Sequence, residues 1–379
     1  MRIGIEAQRI FRKKKHGMDI VALELIKALQ LIDQTNQYFI FVKKGDDNGC
    51  IQESSNFKIV EVPGLTYADW EQIFLPLSIR KYNIDVLHCT SNTAPLFCPA
   101  PTIITLHDVI FMEQSKDKAI GNWYQQLGRI YRKYIVPASI KNTKHIITVS
   151  NYEKERISNT LNVGNDKISV IYNAYGSHFK VPEKGELLEN IRNKYKLPEG
   201  YIFYIGNTDP KKNMTNTLSA YARYAKSTID NLKLVIADVS QATLDELIVK
   251  LNLQTCRKHI QLTGYIDNSD LPLIYAGASV FLYPSLRESF GIPVLESMAC
   301  GTPVITSNTS ALPEVAGLAA LLVDPTNEED ITQALQRSLT NLVLRQAMIT
   351  MGFDRIRVFS WNSSATNLLN LYKSLELCS

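Results

Sequence analysis

Two glutamates, Glu288 and Glu296, flank a glycine and a proline in the stretch RESFGIPVLE (residues 287–296). Gly291 and Pro293 argue against one continuous helix through both. Proline is at home in the first turn of a helix, where its missing N–H is not needed. The spacing therefore predicts a loop to about Ile292 and then a helix through PVLESMAC to Gly301. On that reading Glu296 lies in the first helical turn and Glu288 in the loop ahead of it. Between them the N–H groups of a helix start, which lack intrahelical partners, form an anion site. The expected chemistry is a phosphate cradle with a carboxylate at each side.

A second stretch, YIGNTDPKKNMTNTL (204–218), has a strand ending at Ile205, a glycine-containing loop, and Lys211 and Lys212 ahead of a helix starting near Asn213. Two ammonium groups in a strand-to-helix loop suit a diphosphate. The plain alternative is a solvated lysine pair; the position at a strand's carboxyl end favours the diphosphate. TIITLHDVIF (102–111) brings His107 and Asp108 to the end of another strand, although a lone histidine more often serves structure than catalysis. RIFRKKKHGMDI (9–20) is a basic loop, solvated by default, that closes on His16 and Gly17 at a helix start. A glycine there lets a phosphate or an acceptor approach the backbone. NWYQQLGRIYRKYIVP (122–137) mixes Trp123, Tyr124, Tyr131 and Tyr134 with Arg129, Arg132 and Lys133. It reads either as amphipathic core packing or as an interfacial, membrane-facing helix.

These stretches need a scaffold, and the rest of the chain supplies one. RIGIEA, YFIFVK, FKIVEV, DVLHC, TIITLHD, KHIITVS and KISVIYNA read as short buried strands, separated by helical runs such as DIVALELIKALQLI and a long one near 118–142. After a connection, VPEKGELLENIRNKYKLPEG, a second series follows: YIFYIGN, LKLVIAD, HIQLTGY, SVFLYPS, TPVITSN and AALLVDP, then three helical runs over about 327–376. Buried strands alternating with helices imply parallel sheets covered on both faces. The fold class expected is α/β, two doubly wound Rossmann-like domains meeting near residues 175–185, with ligands at the carboxyl ends of the strands.

Bulk properties agree. A chain of 379 residues is long for one core. No apolar run approaches the roughly 18 residues of a membrane span. MRIGIEAQRIF reads as a strand and not as a signal peptide, so a cytoplasmic location with reduced thiols is expected. The six cysteines (Cys50, Cys89, Cys98, Cys256, Cys300 and Cys378) show no metal spacing. Residues 1–180 hold 23 Lys and Arg against 17 Asp and Glu, a net +6, while the remainder holds 18 against 20, a net −2. The first half therefore suits an anionic partner, such as a membrane surface or a phosphorylated acceptor. No helix-turn-helix, RRM or zinc-finger signature points to nucleic acid. No strand ends in Asp-x-Asp, so no metal–diphosphate clamp is indicated. Gly-x-Gly-x-x-Gly after the first strand and Gly-x-x-x-x-Gly-Lys-Ser/Thr are both absent, which weighs against dehydrogenase and kinase readings.

Taken together, these residues resemble the retaining glycosyltransferases of family 4, which have the two-domain GT-B architecture. The resemblance spans nearly the whole chain and is strongest from about 260 to 325, where GYIDNSDLPLIYAGASVFLYPSLRESFGIPVLESMACGTPVITSNTSALPEV looks like that family's donor-site segment. It implies an acceptor-binding domain over 1–178, a nucleotide-sugar-binding domain over 179–359, a cleft between them, and a final helix, 360–379, returning to the first domain. It also implies roles. Glu296 would accept hydrogen bonds from the ribose. Glu288 would address the donor sugar, with Ser289, Phe290, Gly291 and Ile292 contacting sugar and phosphate. Lys212 would grip the diphosphate; the neighbouring family arginine has no clear counterpart, since Asn207 follows Gly206, and Lys211 would substitute. Gly264 and Tyr265 would hold the base. His107, with Lys212 and Glu288, would form the catalytic set. His16, Gly17 and Asp108 would line the acceptor side; His16–Gly17 matches a family Gly-Gly loop only in part.

The implied reaction moves a hexose, mannose favoured, from a GDP- or UDP-linked sugar to a glycan or lipid-linked acceptor in surface polysaccharide synthesis. It proceeds with retention, by front-face attack, needs no metal or further cofactor, and takes place in the cytoplasm or at the inner membrane face. The rivals are another GT-B enzyme, such as a nucleotide-sugar epimerase or a phosphorylase, and a non-catalytic nucleotide-sugar-binding protein. The phosphorylase would need a cofactor-lysine motif that is not seen.

Overall fold

The computed structural model of the chain describes residues 1–112, 123–183, 186–207, 209–228 and 232–376. It divides into two compact units: Met1–Asn173 with Trp361–Ser379, and Ala174–Ser360. The first break falls a few residues before the 178/179 boundary read from the sequence. The reason is Phe179, which is buried with its ring against Tyr275 of the second unit, so the segment leading to it belongs there.

The first unit holds seven parallel strands: β1 (Arg2–Glu6), β2 (Gln37–Val42), β3 (Phe57–Glu61), β4 (Val86–Cys89), β5 (Thr102–Thr105), β6 (His145–Thr148) and β7 (Ile168–Val170). Their order is β3-β2-β1-β4-β5-β6-β7. Alternate residues of β2 explain why helices cover both faces. Tyr38, Ile40 and Val42 pack with Ala22, Ile26 and Leu29 of the helix Gly17–Ile32 and with Leu368 and Tyr372 of the helix Trp361–Glu376. Phe39 and Phe41 face the other way, into a second core with Leu75, Ile79, Val136 and Ile157. A strand buried on both faces needs the near-continuous apolar run that YFIFV supplies. The last helix is thus built into the core of the first unit, and Tyr372 OH meets the buried His88 Nδ1 at 2.7 Å.

The second unit has six parallel strands: β8 (Tyr201–Ile205), β9 (Lys233–Ala237), β10 (Ile260–Gly264), β11 (Val280–Tyr283), β12 (Val304–Ser307) and β13 (Ala320–Val323). Their order is β10-β9-β8-β11-β12-β13. Ile202, Tyr204, Leu234, Ile236 and Leu282 pack against Leu218 and Tyr221 of the helix Met214–Ser227 and Leu335 of the helix Glu328–Thr340. On the opposite face Phe203, Tyr275, Phe281 and Tyr283 form an aromatic chain.

Strand order reverses between β1 and β4 in one sheet and between β8 and β11 in the other. Open α/β sheets bind ligands at such switch points, beyond the carboxyl ends of the strands. The stretches after β8 and β11 are the ones that hold the two lysines and the two glutamates.

Candidate functional site

In the second unit, local structure brings Lys212 and Glu288 together. After β8 the chain makes a single turn, Pro210–Lys212, capped by Asp209, whose Oδ1 accepts from Lys211 N at 3.0 Å. Asn213 then opens the helix Met214–Ser227 from a left-handed conformation (φ +64°). Its buried amide donates to Pro284 O (2.9 Å) and Pro325 O (2.6 Å), tying this loop to the one after β11. Leu286 N also donates to Lys211 O at 2.7 Å. Held in this way, Lys212 Nζ lies 2.8 Å from Glu288 Oε1 and donates to Tyr283 OH at 2.7 Å. Tyr283 OH in turn donates to the same carboxylate oxygen at 2.8 Å. The triangle is half-buried: the two charged side chains are 20% and 17% exposed. Glu288 is fixed from behind, its N–H donating to Ser310 Oγ (3.1 Å) and its C=O accepting from Ala311 N (3.3 Å).

The helix after this loop runs Ile292–Ala299. Gly291 caps it at φ +108°, a conformation open to glycine, and a Cβ there would lie 2.7 Å from Leu312 Cδ2. Phe290 anchors the loop by burying its ring edge-on to Phe359. Because the helix starts at Ile292 with Pro293 second, Glu296 is its fifth residue. This corrects the first-turn placement read from the sequence. The consequence is that Glu296 lies beyond the first turn, whose N–H groups lack intrahelical partners, and alongside Tyr275, whose OH donates to its Oε2 at 3.2 Å. Burial pushes the Glu296 carboxyl up to about 7, against a smaller opposing effect from the tyrosine.

The other residues read from the sequence as donor-binding take more modest positions. Lys211 is paired with Asp209 at 3.2 Å and is more exposed than Lys212. Gly206 donates its N–H to Ala237 O, and a Cβ there would meet the Tyr204 ring at 2.6 Å, so its service is to let the chain leave the sheet. Asn207 is exposed, its side chain accepting from Asp209 N. Gly264 ends β10 at φ +70°, and Tyr265 beyond it is 65% exposed. Ser289 is half-buried beside Phe290.

In the first unit, His16 and Gly17 follow the carboxyl end of β1, and His107 and Asp108 follow that of β5. His107 N donates to Asn92 Oδ1 at 2.6 Å, and its Nε2 lies 3.0 Å from Thr90 O. A carbonyl only accepts, so Nε2 carries the hydrogen and Nδ1 is left as an acceptor. Burial holds the His107 imidazole below its usual range, and therefore neutral at neutral pH. Behind it His88 is buried between Thr105 Oγ1 and Tyr372, and burial pushes it down to about 3. His16 N donates to Asp19 Oδ2 at 3.0 Å, capping the helix Gly17–Ile32. A Cβ on Gly17 would meet nothing within 4 Å, so that edge is open. Asp108 accepts from Ile110 N and shapes the turn after His107.

Sequence reasoning missed four residues. Tyr283 and Tyr275 end or flank apolar runs and read as core. Glu6, inside the strand RIGIEA, and Glu71 carry no motif that singles them out. Both acids are in fact buried, and burial raises their carboxyls. Glu6 accepts from Gln8 N and Thr90 N. Glu71 lies in a π-helical turn, Trp70–Phe74, accepting from Tyr67 OH (3.0 Å), Thr93 Oγ1 (2.5 Å) and Tyr131 OH (2.5 Å). The inward hydroxyl of Tyr131 fits core packing for that part of the aromatic–basic helix, which is Trp123–Asn142. The side chains of Trp123 and Tyr124, like the start of the helix expected from 118, lie outside the described residues. Among the described residues no group of three or more His, Cys, Asp or Glu could hold a metal ion.

Comparison with known proteins adds to this geometry. Residues 16–175 match the family described as Glycosyltransferase Family 4, and residues 189–355 match Glycosyl transferases group 1. The chain is 33% identical over 246 residues to O-antigen chain mannosyltransferase B of Escherichia coli. The match covers 65% of this chain and 64% of that protein, just under two thirds of the relative's length. Among solved structures, sucrose-phosphate synthase (tll1590) from Thermosynechococcus elongatus aligns with a TM-score of 0.75 at 21% identity, covering 100% of both chains. Anabaena Alr3699/HepE in complex with UDP-glucose aligns with a TM-score of 0.71 at 14% identity, covering 98% of this chain and 99% of that one. At such identities the likeness establishes the fold, two Rossmann-like parallel-sheet domains of the GT-B type.

Proposed function

The chain belongs to glycosyltransferase family 4, and on that premise we propose that it moves a hexose from a nucleoside-diphosphate sugar to a glycan or lipid-linked acceptor in surface polysaccharide synthesis. Mannose is the favoured hexose, because the E. coli relative is a mannosyltransferase by name. Transfer retains the anomeric configuration and needs neither a metal nor a further cofactor.

The observation that carries this reading is the Lys212–Tyr283–Glu288 triangle at the switch point of the second sheet. As the glycosidic bond to phosphate breaks, negative charge develops on the leaving diphosphate. Lys212 and the N–H groups at the start of the helix Ile292–Ala299 are fixed partners for that charge, set before the reaction begins. Glu288, held on its backbone by Ser310 and Ala311, is left to accept from hydroxyls of the donor sugar. Glu296 accepts from the ribose. His107 offers a neutral Nδ1, suited to a sugar hydroxyl. The acceptor attacks from the face of the leaving group, and the departing phosphate takes its proton.

A thermal-shift panel of UDP, GDP and their sugar conjugates tests the donor site, since a ligand that binds only the folded chain raises Tm. At least one nucleotide should raise it, equally with and without EDTA. A flat response to the whole panel, or a shift that EDTA abolishes, would contradict the assignment. Membrane association is a separate part of the reading. Leu127, Ile130 and Tyr134 are 53%, 53% and 71% exposed on the helix Trp123–Asn142, beside Arg129 and Lys133. The protein should float with vesicles rich in anionic lipid and remain in solution with neutral ones; equal behaviour with both would remove the membrane from the account.

A further inference from the structure

At the carboxyl edge of the first sheet two guanidinium groups feel each other's charge, and among the described residues neither is in an ion pair, although Glu6 attracts Arg9 and Asp108 attracts Arg132 from farther off. Arg9 follows the end of β1, and its guanidinium carbon lies 4.8 Å from the centroid of the Tyr67 ring. Arg132, on the helix Trp123–Asn142, lies 5.9 Å from the Phe111 ring. Both arginines are half-buried. Neither forms an ion pair among the described residues, and Arg9 Nε is enclosed without a hydrogen-bond partner. The two interact electrostatically with each other and with Tyr67. Burial, then the charge of Arg9, weakens the hold of Arg132 on its proton; Asp108 offsets this and Arg129 adds to it.

The platform beneath Arg9 is rigid. Tyr67 OH donates to Glu71 Oε1 at 3.0 Å and lies 2.6 Å from Thr93 Oγ1, and its ring meets Tyr131 edge-on at 5.7 Å. Glu6 and Asp108 offset part of the repulsion without pairing with either guanidinium, and enclosing like charges side by side stays costly until an anion joins them directly. Tyr67, Phe111 and Arg9 all follow strand ends of the first sheet, where ligands of such sheets bind. Two guanidiniums present a charge of two and a set of planar donors. A phosphate dianion satisfies both; a carboxylate would neutralise only one.

We propose that Arg9 and Arg132, over the Tyr67 and Phe111 rings, form a binding site for a phosphate group carried by the acceptor or by a lipid headgroup. This rests on the transferase reading, in that it gives the first unit an anionic acceptor.

The test is calorimetric. With the donor site saturated by nucleoside diphosphate, inorganic phosphate is titrated into the whole chain. One further phosphate should bind to the wild type. Binding should weaken at least tenfold in Arg9→Gln and in Arg132→Gln, and persist in Lys212→Met. Arg9→Lys and Arg132→Lys, which keep the charge but not the fork, should lie between and serve if a glutamine variant fails to fold. No second phosphate in the nucleotide-saturated wild type, or equal binding in folded Arg variants, overturns the proposal. Competition then separates the sources: displacement by soluble glycerol phosphate places the group on the acceptor, and displacement by phosphatidylglycerol vesicles alone places it on a headgroup. A wild type that binds phosphate but no nucleotide overturns the transferase reading instead, so the two failures are distinguishable.

Discussion

Replacing Lys212 with methionine should lower turnover by about a thousandfold, which is roughly 4 kcal/mol of transition-state stabilisation. Methionine keeps most of the side-chain length and removes the charge. The loss should fall on kcat more than on KM, because charge on the diphosphate grows as the glycosidic bond breaks. Arginine at 212 should rescue only part of the activity. Its fork is larger than the ammonium group that fits between Tyr283 OH and Glu288 Oε1 at 2.7 and 2.8 Å. The fold should survive, since Glu288 keeps the Tyr283 hydroxyl and the Ser310 contact. A folded Lys212→Met variant with activity within tenfold of the wild type would show that the lysine is a structural ion pair only.

Nucleotide affinity should fall about tenfold between pH 8 and pH 6, and Glu296→Gln should flatten the profile. The Glu296 carboxyl is pushed up to about 7 by burial. Above that pH it is an anion and accepts strongly from ribose hydroxyls. Below it, binding must first expel a proton, and affinity drops about tenfold per pH unit. The diphosphate's own titration is common to both proteins, so the difference between them isolates Glu296. Stability should move in the opposite sense. The folded protein holds this proton longer than the unfolded chain, whose glutamate titrates near 4.5, so the group costs stability progressively as pH rises from about 4.5 to 7 and fully above 7. Glu296→Gln should therefore raise Tm most at pH 8 while weakening nucleotide there. Parallel profiles for the two proteins would remove Glu296 from the ribose site.

Most of the scaffold was legible because strands buried on both faces must be apolar along their length, as YFIFV and YIFYI are. The RESFGIPVLE loop was legible because Gly291 and Pro293 admit one local geometry. Its register was not: a left-handed glycine at the cap moves the helix start to Ile292 and Glu296 into the second turn. Tyr283 was hidden because a tyrosine closing an apolar strand reads as core, and only the fold shows its hydroxyl between Lys212 and Glu288. Glu6 and Glu71 were hidden because their donors come from distant loops, Thr90 for one and Thr93 and Tyr131 for the other. Lys211 was readable as a cation, but its pairing with Asp209 was not, since the turn at Pro210 sets it.

The most direct measurement is a crystal structure of the protein with the nucleoside diphosphate identified by thermal shift. The diphosphate should lie between Lys212 and the start of the helix Ile292–Ala299, with the ribose hydroxyls on Glu296. A nucleotide bound elsewhere, or a Glu296 carboxylate turned away from the ribose, would contradict the account.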